Sequence, residues 1–480
     1  MYSKFGQFID GKWQPSEKKE TYDVINPATE EVIGKASKAT KNDVVKTLKS
    51  AEKGFKIWKK TPAWERSSKI RKISELMKEQ KNVLAKWLAL EVGKPLVEGV
   101  AEVSSAADIF EWNSEETKRI FGQTVESRFE NTRVQVIYQP IGVVAALVPW
   151  NFPVILASRK ISTALAAGCS VIVKPDLIAP GAVMEMMNII NDAGIPPGVV
   201  NLLSGDPEEI SNELISSDII KKVSITGSTR VGKIILKKAA DKVQRVTMEL
   251  SGHAPFIVFE DSNIEKVTDM AISSKYRNNG QVCISPTRFY IHESKKEDFT
   301  KIFIEKTKKL KIGDGLKEGT NLGPITTKKR LEEIEKLVEK TKKEGGNILY
   351  GGKRPAGFNK GYFYEPTIID NVKDNFTVMT EEPFGPITPI TTFKKFDEVI
   401  ERANKHHCGL AGYVCTNSME KAFKASEQLE TGIVAINTPV VATAETPFGG
   451  IKQTGYGREG GSVGIKDYLN IKYTHLGLSG

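Results

Sequence analysis

Between residues 142 and 250 the hydrophobic pattern switches repeatedly between two periods. An unbroken apolar run at 143–148, ended by Pro149, predicts a buried strand. The segment 153–167 then takes a helical spacing with proline in its first turn. The same exchange recurs: β-like 170–173 running into Lys174-Pro175, helical 180–193 stopped at Gly194, β-like 199–203, a short helix at 207–215, β-like 222–226, helical 229–240 and β-like 245–250. Alternating strands and helices predict a parallel sheet covered on both faces. Ligands of such sheets bind beyond the carboxyl ends of the strands, here 149–152, 174–177, 204–205, 227–228 and 249–252.

A second alternating block runs from about 253 to 438. Within it, residues 328–340 read KKRLEEIEKLVEK, and Leu331, Ile334, Leu337 and Val338 fall on one helical stripe beside a charged, solvated face. Two stretches break the alternation. Residues 126–139 are polar and extended, and 467–475 (DYLNIKYTH) mix polar with β-forming side chains. Extended segments need partners, so these are expected to pair with each other or across subunits.

Composition narrows the functional classes. A chain of 480 residues, 40% hydrophobic and 27% charged, suggests two to four globular domains and argues against disorder, a fibre or a disulfide scaffold. The net charge of +10 would suit nucleic acid, a membrane surface or an anionic substrate. The charges are mixed, not clustered with aromatics, so neither a nucleic acid nor a membrane partner is expected. No apolar run reaches the roughly 18–20 residues that span a bilayer. Residues 1–6 lack a signal peptide's apolar stretch. Four cysteines (169, 283, 408, 415) without a CxxC pair fit a reducing, cytoplasmic setting. His406-His407-Cys408 resembles a ligand set, but adjacent side chains converge poorly on one ion, so no metal site is expected.

Four segments carry candidate chemistry. Gly227-Ser-Thr-Arg-Val-Gly232-Lys233 follows a predicted strand and opens a helix, a setting whose free N–H groups favour an anion. It is not a P-loop, because Ile234 replaces the hydroxyl that would meet magnesium. Cys283, in a loop rich in Gly, Gln and Asn, is a nucleophile if exposed and if its pKa falls below about 8.5, and otherwise a small buried hydrophobe. Glu249 at a strand end reads as a general base with a raised pKa, or as half of an ion pair. Asn151 reads as an oxyanion donor, or as a cap for the helix at 153.

These motifs together resemble the NAD(P)-dependent aldehyde dehydrogenases nearly end to end. The resemblance runs through Phe8-Ile-Asp-Gly-Lys-Trp13, Asn26-Pro-Ala-Thr29, Pro149-Trp-Asn-Phe-Pro153, Lys174-Pro175, Gly227-Ser-Thr229 and Glu249-Leu-Ser-Gly252. It continues in Gly280-Gln-Val-Cys283, Glu381-Glu-Pro-Phe-Gly-Pro386, Pro447-Phe-Gly-Gly450 and Gly457-Arg-Glu459. It implies an α/β fold with a Rossmann-like cofactor domain (1–122 and 141–252), an α/β catalytic domain (253–440), a returning segment (441–461) and a β oligomerisation arm (123–140 and 462–480). A homodimer or homotetramer follows from that arm.

The resemblance also implies roles. Cys283 attacks the aldehyde carbon while the Asn151 amide and the Cys283 N–H hold the oxyanion; hydride transfer leaves a thioester, which water activated by Glu249 hydrolyses. Lys174 reaches the adenosine ribose, Gly227 and Ser228 the pyrophosphate, and Glu382 the nicotinamide ribose beside Phe384. Trp150, Thr226 and the Leu250 carbonyl line the nicotinamide pocket. Within the family the chain is most similar to succinate-semialdehyde dehydrogenases, on its tail 457–478 and on Arg159 and Arg277, positions that bind a substrate carboxylate there.

Several positions depart from the family pattern. His253 and Ser251 replace more usual residues, and Ser285 stands where some members carry a second cysteine. Ala442 stands where the subgroup can place a carboxylate-binding serine, with Thr443 as a possible substitute. Leu177 stands where many NAD-preferring relatives carry a glutamate that would repel a 2′-phosphate, which leans the cofactor toward NADP over NAD. Other short aldehydes remain open as substrates (glutarate or 2-oxoglutarate semialdehyde, lactaldehyde, glyceraldehyde). So do a CoA-acylating reaction, disfavoured by the presence of Glu249, and a non-catalytic binding protein.

Overall fold

The computed structural model describes residues 2–478; Ser479 and Gly480, in the expected arm, lie outside the described residues. Strands β1 (Val143–Leu147), β2 (Ser170–Lys174), β3 (Val200–Leu202), β4 (Ile220–Thr226) and β5 (Arg245–Glu249) lie parallel in the order β5-β4-β1-β2-β3. A hairpin, Gln7–Ile9 with Lys12–Gln14, extends the β3 edge antiparallel. Helices α1 (Pro153–Ala167), α2 (Gly181–Asp192), α3 (Pro207–Ile215) and α4 (Thr229–Ala240) make the crossovers. Every residue of β1 and β2 is buried, which is why both read as apolar runs instead of alternations. Register aligns the strand ends: Leu147 faces Lys174, and Thr226 faces Glu249. The loops at 149–152, 227–228 and 250–252 therefore leave the sheet from one edge.

The strands of a second sheet all fall between Asn347–Tyr350 at one edge and Ile433–Ile436 at the other, with Ala254–Val258 and Pro286–His292 near its centre. All its pairs are parallel except Asn347–Tyr350 with Thr367–Asp370. The helix Lys328–Lys343 buries Leu331, Ile334 and Val338 against this sheet's core, with Leu337 partly buried.

The two irregular stretches pair with each other within the chain. Leu469–Gly477 runs antiparallel to Thr132–Pro140, which also pairs with Gln123–Val125. The predicted limits need correction. Residues 126–131 form the turn between two strands, and Asp467 and Tyr468 belong to a tight helical turn, Ile465–Tyr468. The reason is burial: the Tyr468 ring packs 4.6 Å from the Lys222 ammonium and cannot take an exposed place in the strand. Ile471, Tyr473 and Leu476 stay exposed on the arm. Among the described residues no helix is long and apolar enough to cross a membrane.

Candidate active site

Asn151 sits in the turn after β1 and is buried. It does not cap α1, which carries no side-chain cap from the residue before Pro153. The first amides of that helix instead donate to the Glu102 carboxylate, from Val154 at 2.9 Å and Ile155 at 3.3 Å. The Asn151 amide nitrogen donates to the Gln281 carbonyl at 3.2 Å. Its own carbonyl accepts from the Lys94 ammonium at 2.9 Å and from the Asn278 amide at 3.1 Å. Lys94 is also ion-paired with Glu102, both side chains fully buried, and lies 3.8 Å from the Phe152 ring centroid.

The Cys283 loop follows the helix Ile264–Tyr276 through three left-handed residues, Asn278 (φ 48°), Asn279 (φ 52°) and Gly280 (φ 74°). Asparagine tolerates that backbone, and glycine is required at 280, where a Cβ would lie 2.2 Å from the Gly385 oxygen. The Asn278 backbone N–H donates to Glu98 at 2.8 Å. This stitching holds the Cys283 loop against the Asn151 turn. Cys283 is half-buried. Burial, with Glu382 and Glu249 adding to it and Arg277 opposing, pushes its thiol up to about 12. The lowered pKa of a self-activated thiol is therefore not found here, because burial foremost, with two carboxylates, outweighs Arg277.

Glu249 ends β5, fully enclosed, and neither carboxylate oxygen has a hydrogen-bond partner. Burial foremost, then the Glu459 charge, hold its pKa well above the usual carboxylate range, against Lys160, Arg159 and Arg458. Gly449 (φ 153°) makes room for it, since a Cβ there would lie 2.6 Å from Glu249 Oε1. Behind it Lys160 and Glu459 form an ion pair with almost no exposure. Lys160 also donates to Thr226 Oγ1 at 2.8 Å, and Ser224 donates to Glu459 at 3.1 Å. Glu459 entered the sequence reading only as a motif letter, and Lys160 and Lys94 were missed. The available signal for Lys160 was a lysine amid the small and apolar side chains of 161–167; for Lys94, only an unremarked Gly-Lys-Pro.

Two cavities meet at this centre, and Asn151 and Cys283 are the residues that line both. One, of about 180 Å³, is walled by Trp150, Thr226, Gly227, Ser228, Leu250, Glu382 and Phe384. Trp150 and Phe384 meet edge to face at 5.7 Å, and Phe384 holds φ 42°. Ser228 caps α4 by accepting from Val231 N–H. A Cβ at Gly227 would meet no atom within 4 Å, so that backbone faces open space as a phosphate-bearing ligand requires. Glu382 is pushed up to about 8 by burial, against hydrogen bonds from Ser251 and the Gly252 N–H. Arg330, which the sequence reading did not single out, joins this wall over the Phe384 ring at 5.7 Å.

Lys174 and Leu177 do not line that cavity; they stand at the end of the neighbouring strand β2. Lys174 is buried, which lowers its pKa against the pull of Asp176 and Asp206. Asp176 accepts from the Ile178 N–H at 3.0 Å and Asp206 caps α3, so both carboxylates are engaged locally. The open turn at Gly227, the Glu382 carboxylate and this lysine fit a dinucleotide laid across the strand ends.

The other cavity, of about 260 Å³, brings together Arg159, Arg277 and Thr443. Arg159 is buried, with its guanidinium 4.9 Å over Phe448 and Nη1 without a partner. Arg277 is exposed at the mouth and packs 5.1 Å over the Phe152 ring. Thr443 is tied to Thr446 at 3.3 Å through their hydroxyls.

The ligand atoms of His406, His407 and Cys408 lie within 4.8 Å of one another, closer than adjacency suggested. The turn that bends the Cys408 N–H back onto His406 Nδ1 at 3.1 Å brings them together. His406 Nε2 faces the Thr380 carbonyl at 3.2 Å.

The profile described as the aldehyde dehydrogenase family matches residues 13–474. A glutarate-semialdehyde dehydrogenase of Pseudomonas putida is 41% identical over 97% of this chain and 96% of its own length. An NADP-dependent succinate-semialdehyde dehydrogenase of Escherichia coli is 39% identical over 98% and 97%. The crystal structure of a succinate-semialdehyde dehydrogenase from Burkholderia pseudomallei superposes with a TM-score of 0.96 at 38% identity, covering 98% of both chains. With the α/β fold, the enclosed carboxylate and the cysteine between two cavities, these matches show that the chain belongs to the aldehyde dehydrogenase family, oxidoreductases that act on the aldehyde group.

Proposed function

We propose that this chain oxidises a short aldehyde bearing a distal carboxylate to the diacid, with NADP or NAD as cofactor and succinate semialdehyde as the leading substrate. The observation that carries this reading is the meeting of two unlike cavities at Cys283 and Asn151, one offering a dinucleotide cradle and the other two arginines. A guanidinium pair with a bare Nη1 suits a carboxylate tail. The relatives named for succinate and glutarate semialdehydes support the same substrate class.

In this reading the Cys283 sulfur bonds to the aldehyde carbon, and the Asn151 amide with the Cys283 N–H holds the oxyanion. Burial pushes the thiol up, so its proton passes to solvent as the carbon–sulfur bond forms, which leaves Glu249, whose oxygens carry no hydrogen-bond partner, free as the base of the second half. The nicotinamide, when bound, supplies the hydride acceptor. Glu249 next takes a proton from water, which attacks the thioester, and the Cys283 thiolate leaves with the acid released. Trp150, Thr226, the Leu250 carbonyl, Glu382 and Phe384 would hold the nicotinamide end, Gly227 and Ser228 the pyrophosphate, and Lys174 the adenosine ribose. Leu177 in place of an acidic residue favours NADP. Glu249 weighs against CoA transfer, which needs no such base.

The exposed arm strands support a homo-oligomer, and the two sheets with the arm support the three-part division at 1–122 with 141–252, 253–440 and the arm. Four free cysteines accord with a cytoplasmic setting. Initial rates with succinate semialdehyde and hexanal, each with NAD and NADP, for wild type and Arg277→Ala test the reading. Wild type should prefer the semialdehyde strongly, and the variant should lose about 2–5 kcal/mol on it and little on hexanal. Equal rates on both aldehydes would sink the carboxylate assignment.

A further inference from the structure

The cavity that holds Arg159 and Thr443, which would take the acyl chain, does not end at Arg277. Beyond that guanidinium lies another cavity of about 230 Å³, nearly the size of the first. The two share Arg277, Val282, Ile284 and Ala442 as a common wall. Ala442 contributes a single methyl to this partition. The far wall carries Tyr413, whose hydroxyl is spent on the Ile284 carbonyl at 2.7 Å, and the hydroxyls of Ser273 and Ser274. Both serines donate to the Met270 carbonyl, at 3.0 and 2.8 Å, and can turn toward an incoming anion. Arg277 itself enters no ion pair within 4.0 Å among the described residues.

Two adjoining cavities with an unpaired cation and apolar side chains at their shared wall, and hydroxyls beyond, offer the chemistry of a longer carbon chain ending in a carboxylate. A short ω-carboxylate reaches Arg159 and Arg277 from the first cavity. A longer one would pass the single methyl of Ala442 and meet the Arg277 fork from its other side. Guanidinium offers five donors in a plane, so it can serve either approach.

We propose that the second cavity is an extension of the acyl site that admits ω-carboxy aldehydes of six carbons, longer than those named for the similar enzymes. This rests on the reading of the first cavity as a carboxylate site. The test is kcat/KM of the purified full-length enzyme with cofactor for the four- and six-carbon ω-carboxy aldehydes against butanal and hexanal. The expected result is a six-carbon semialdehyde within tenfold of the four-carbon one and at least tenfold better than hexanal. If the four-carbon semialdehyde beats butanal but the six-carbon one does not beat hexanal, the extension is overturned and the carboxylate site stands. If neither semialdehyde beats its plain aldehyde, both fall. Ser274→Leu, which fills only the second cavity, should lower the six-to-four-carbon ratio of kcat/KM at least tenfold; an unchanged ratio overturns the extension even if wild type accepts the long chain.

Discussion

Lys94 donates to the backbone carbonyl of Asn151 at 2.9 Å from a site closed to solvent, while its partner Glu102 receives the first amides of the helix that follows. One buried ion pair thus grips both ends of the turn that carries Asn151. Lys94→Met should lower kcat at least tenfold while leaving the KM for cofactor nearly unchanged. It should also cost about 3–5 kcal/mol of stability, because Glu102 is left buried and uncompensated. Lys94→Met combined with Glu102→Gln should recover part of that stability but not the rate. Thermal unfolding and steady-state kinetics on the three variants check this; a rate restored by the second change would show that Asn151 does not depend on the Lys94 contact.

Glu249→Gln should separate the two halves of the reaction. The variant cannot take a proton from water, so the thioester persists. A single burst of about one reduced cofactor per subunit, followed by turnover slowed about 10²–10⁴-fold, is the expected trace in rapid mixing. Loss of the burst as well would mean that Glu249 is also the only group able to deprotonate Cys283.

The pH dependence of hydrolysis follows from the same carboxylate. Its pKa is raised, so it is protonated and inactive at low pH, and the rate should rise with pH through a midpoint well above 4.5. Glu459 contributes to that elevation and Lys160 opposes it. Glu459→Gln should therefore move the acid limb of the kcat profile to lower pH, and Lys160→Met should move it higher. Identical midpoints in all three proteins would show that the buried pair does not act on Glu249.

With its thiol pushed up to about 12, Cys283 in the free enzyme should react slowly with iodoacetamide at pH 7. The rate should climb with pH without a plateau below about pH 10, close to tenfold per unit, because thiolate is the reactive form. A plateau near neutrality, read by mass spectrometry of the 283 peptide, would place a proton acceptor on the thiol before any substrate arrives.

Much of this site could be read from the chain because its chemistry lies at strand ends, and strand ends are marked locally. The run 143–148 closed by Pro149 put Asn151 at a carboxyl edge, and the alternation up to 250 did the same for Gly227 and Glu249. Burial on both faces made those strands continuous in hydrophobicity and so easy to find. What could not be read was pairing over distance. Nothing near Lys160 announces Glu459, 299 positions later, and nothing near Lys94 announces the Asn151 carbonyl. The state of the thiol was equally out of reach: the Gly- and Asn-rich loop does not announce its burial, nor that Glu382 and Glu249 come to it from other elements. The start of the last strand was placed too early because the ring of Tyr468 is claimed by Lys222.

The Lys160–Glu459 pair also sets an order of events during synthesis. Asn151, Glu249 and Cys283 have all been synthesised once residue 283 is added. Lys160 then sits without its counter-charge until 459 appears, and Thr132–Pro140 waits for Leu469–Gly477. Such remote closures are slow, since the intervening loop must be ordered first. A nascent or C-terminally clipped chain would hold Asn151, Glu249 and Cys283 and still lack the counter-charge of Lys160 and the partner of Thr132–Pro140, so both contacts close only near the end of synthesis.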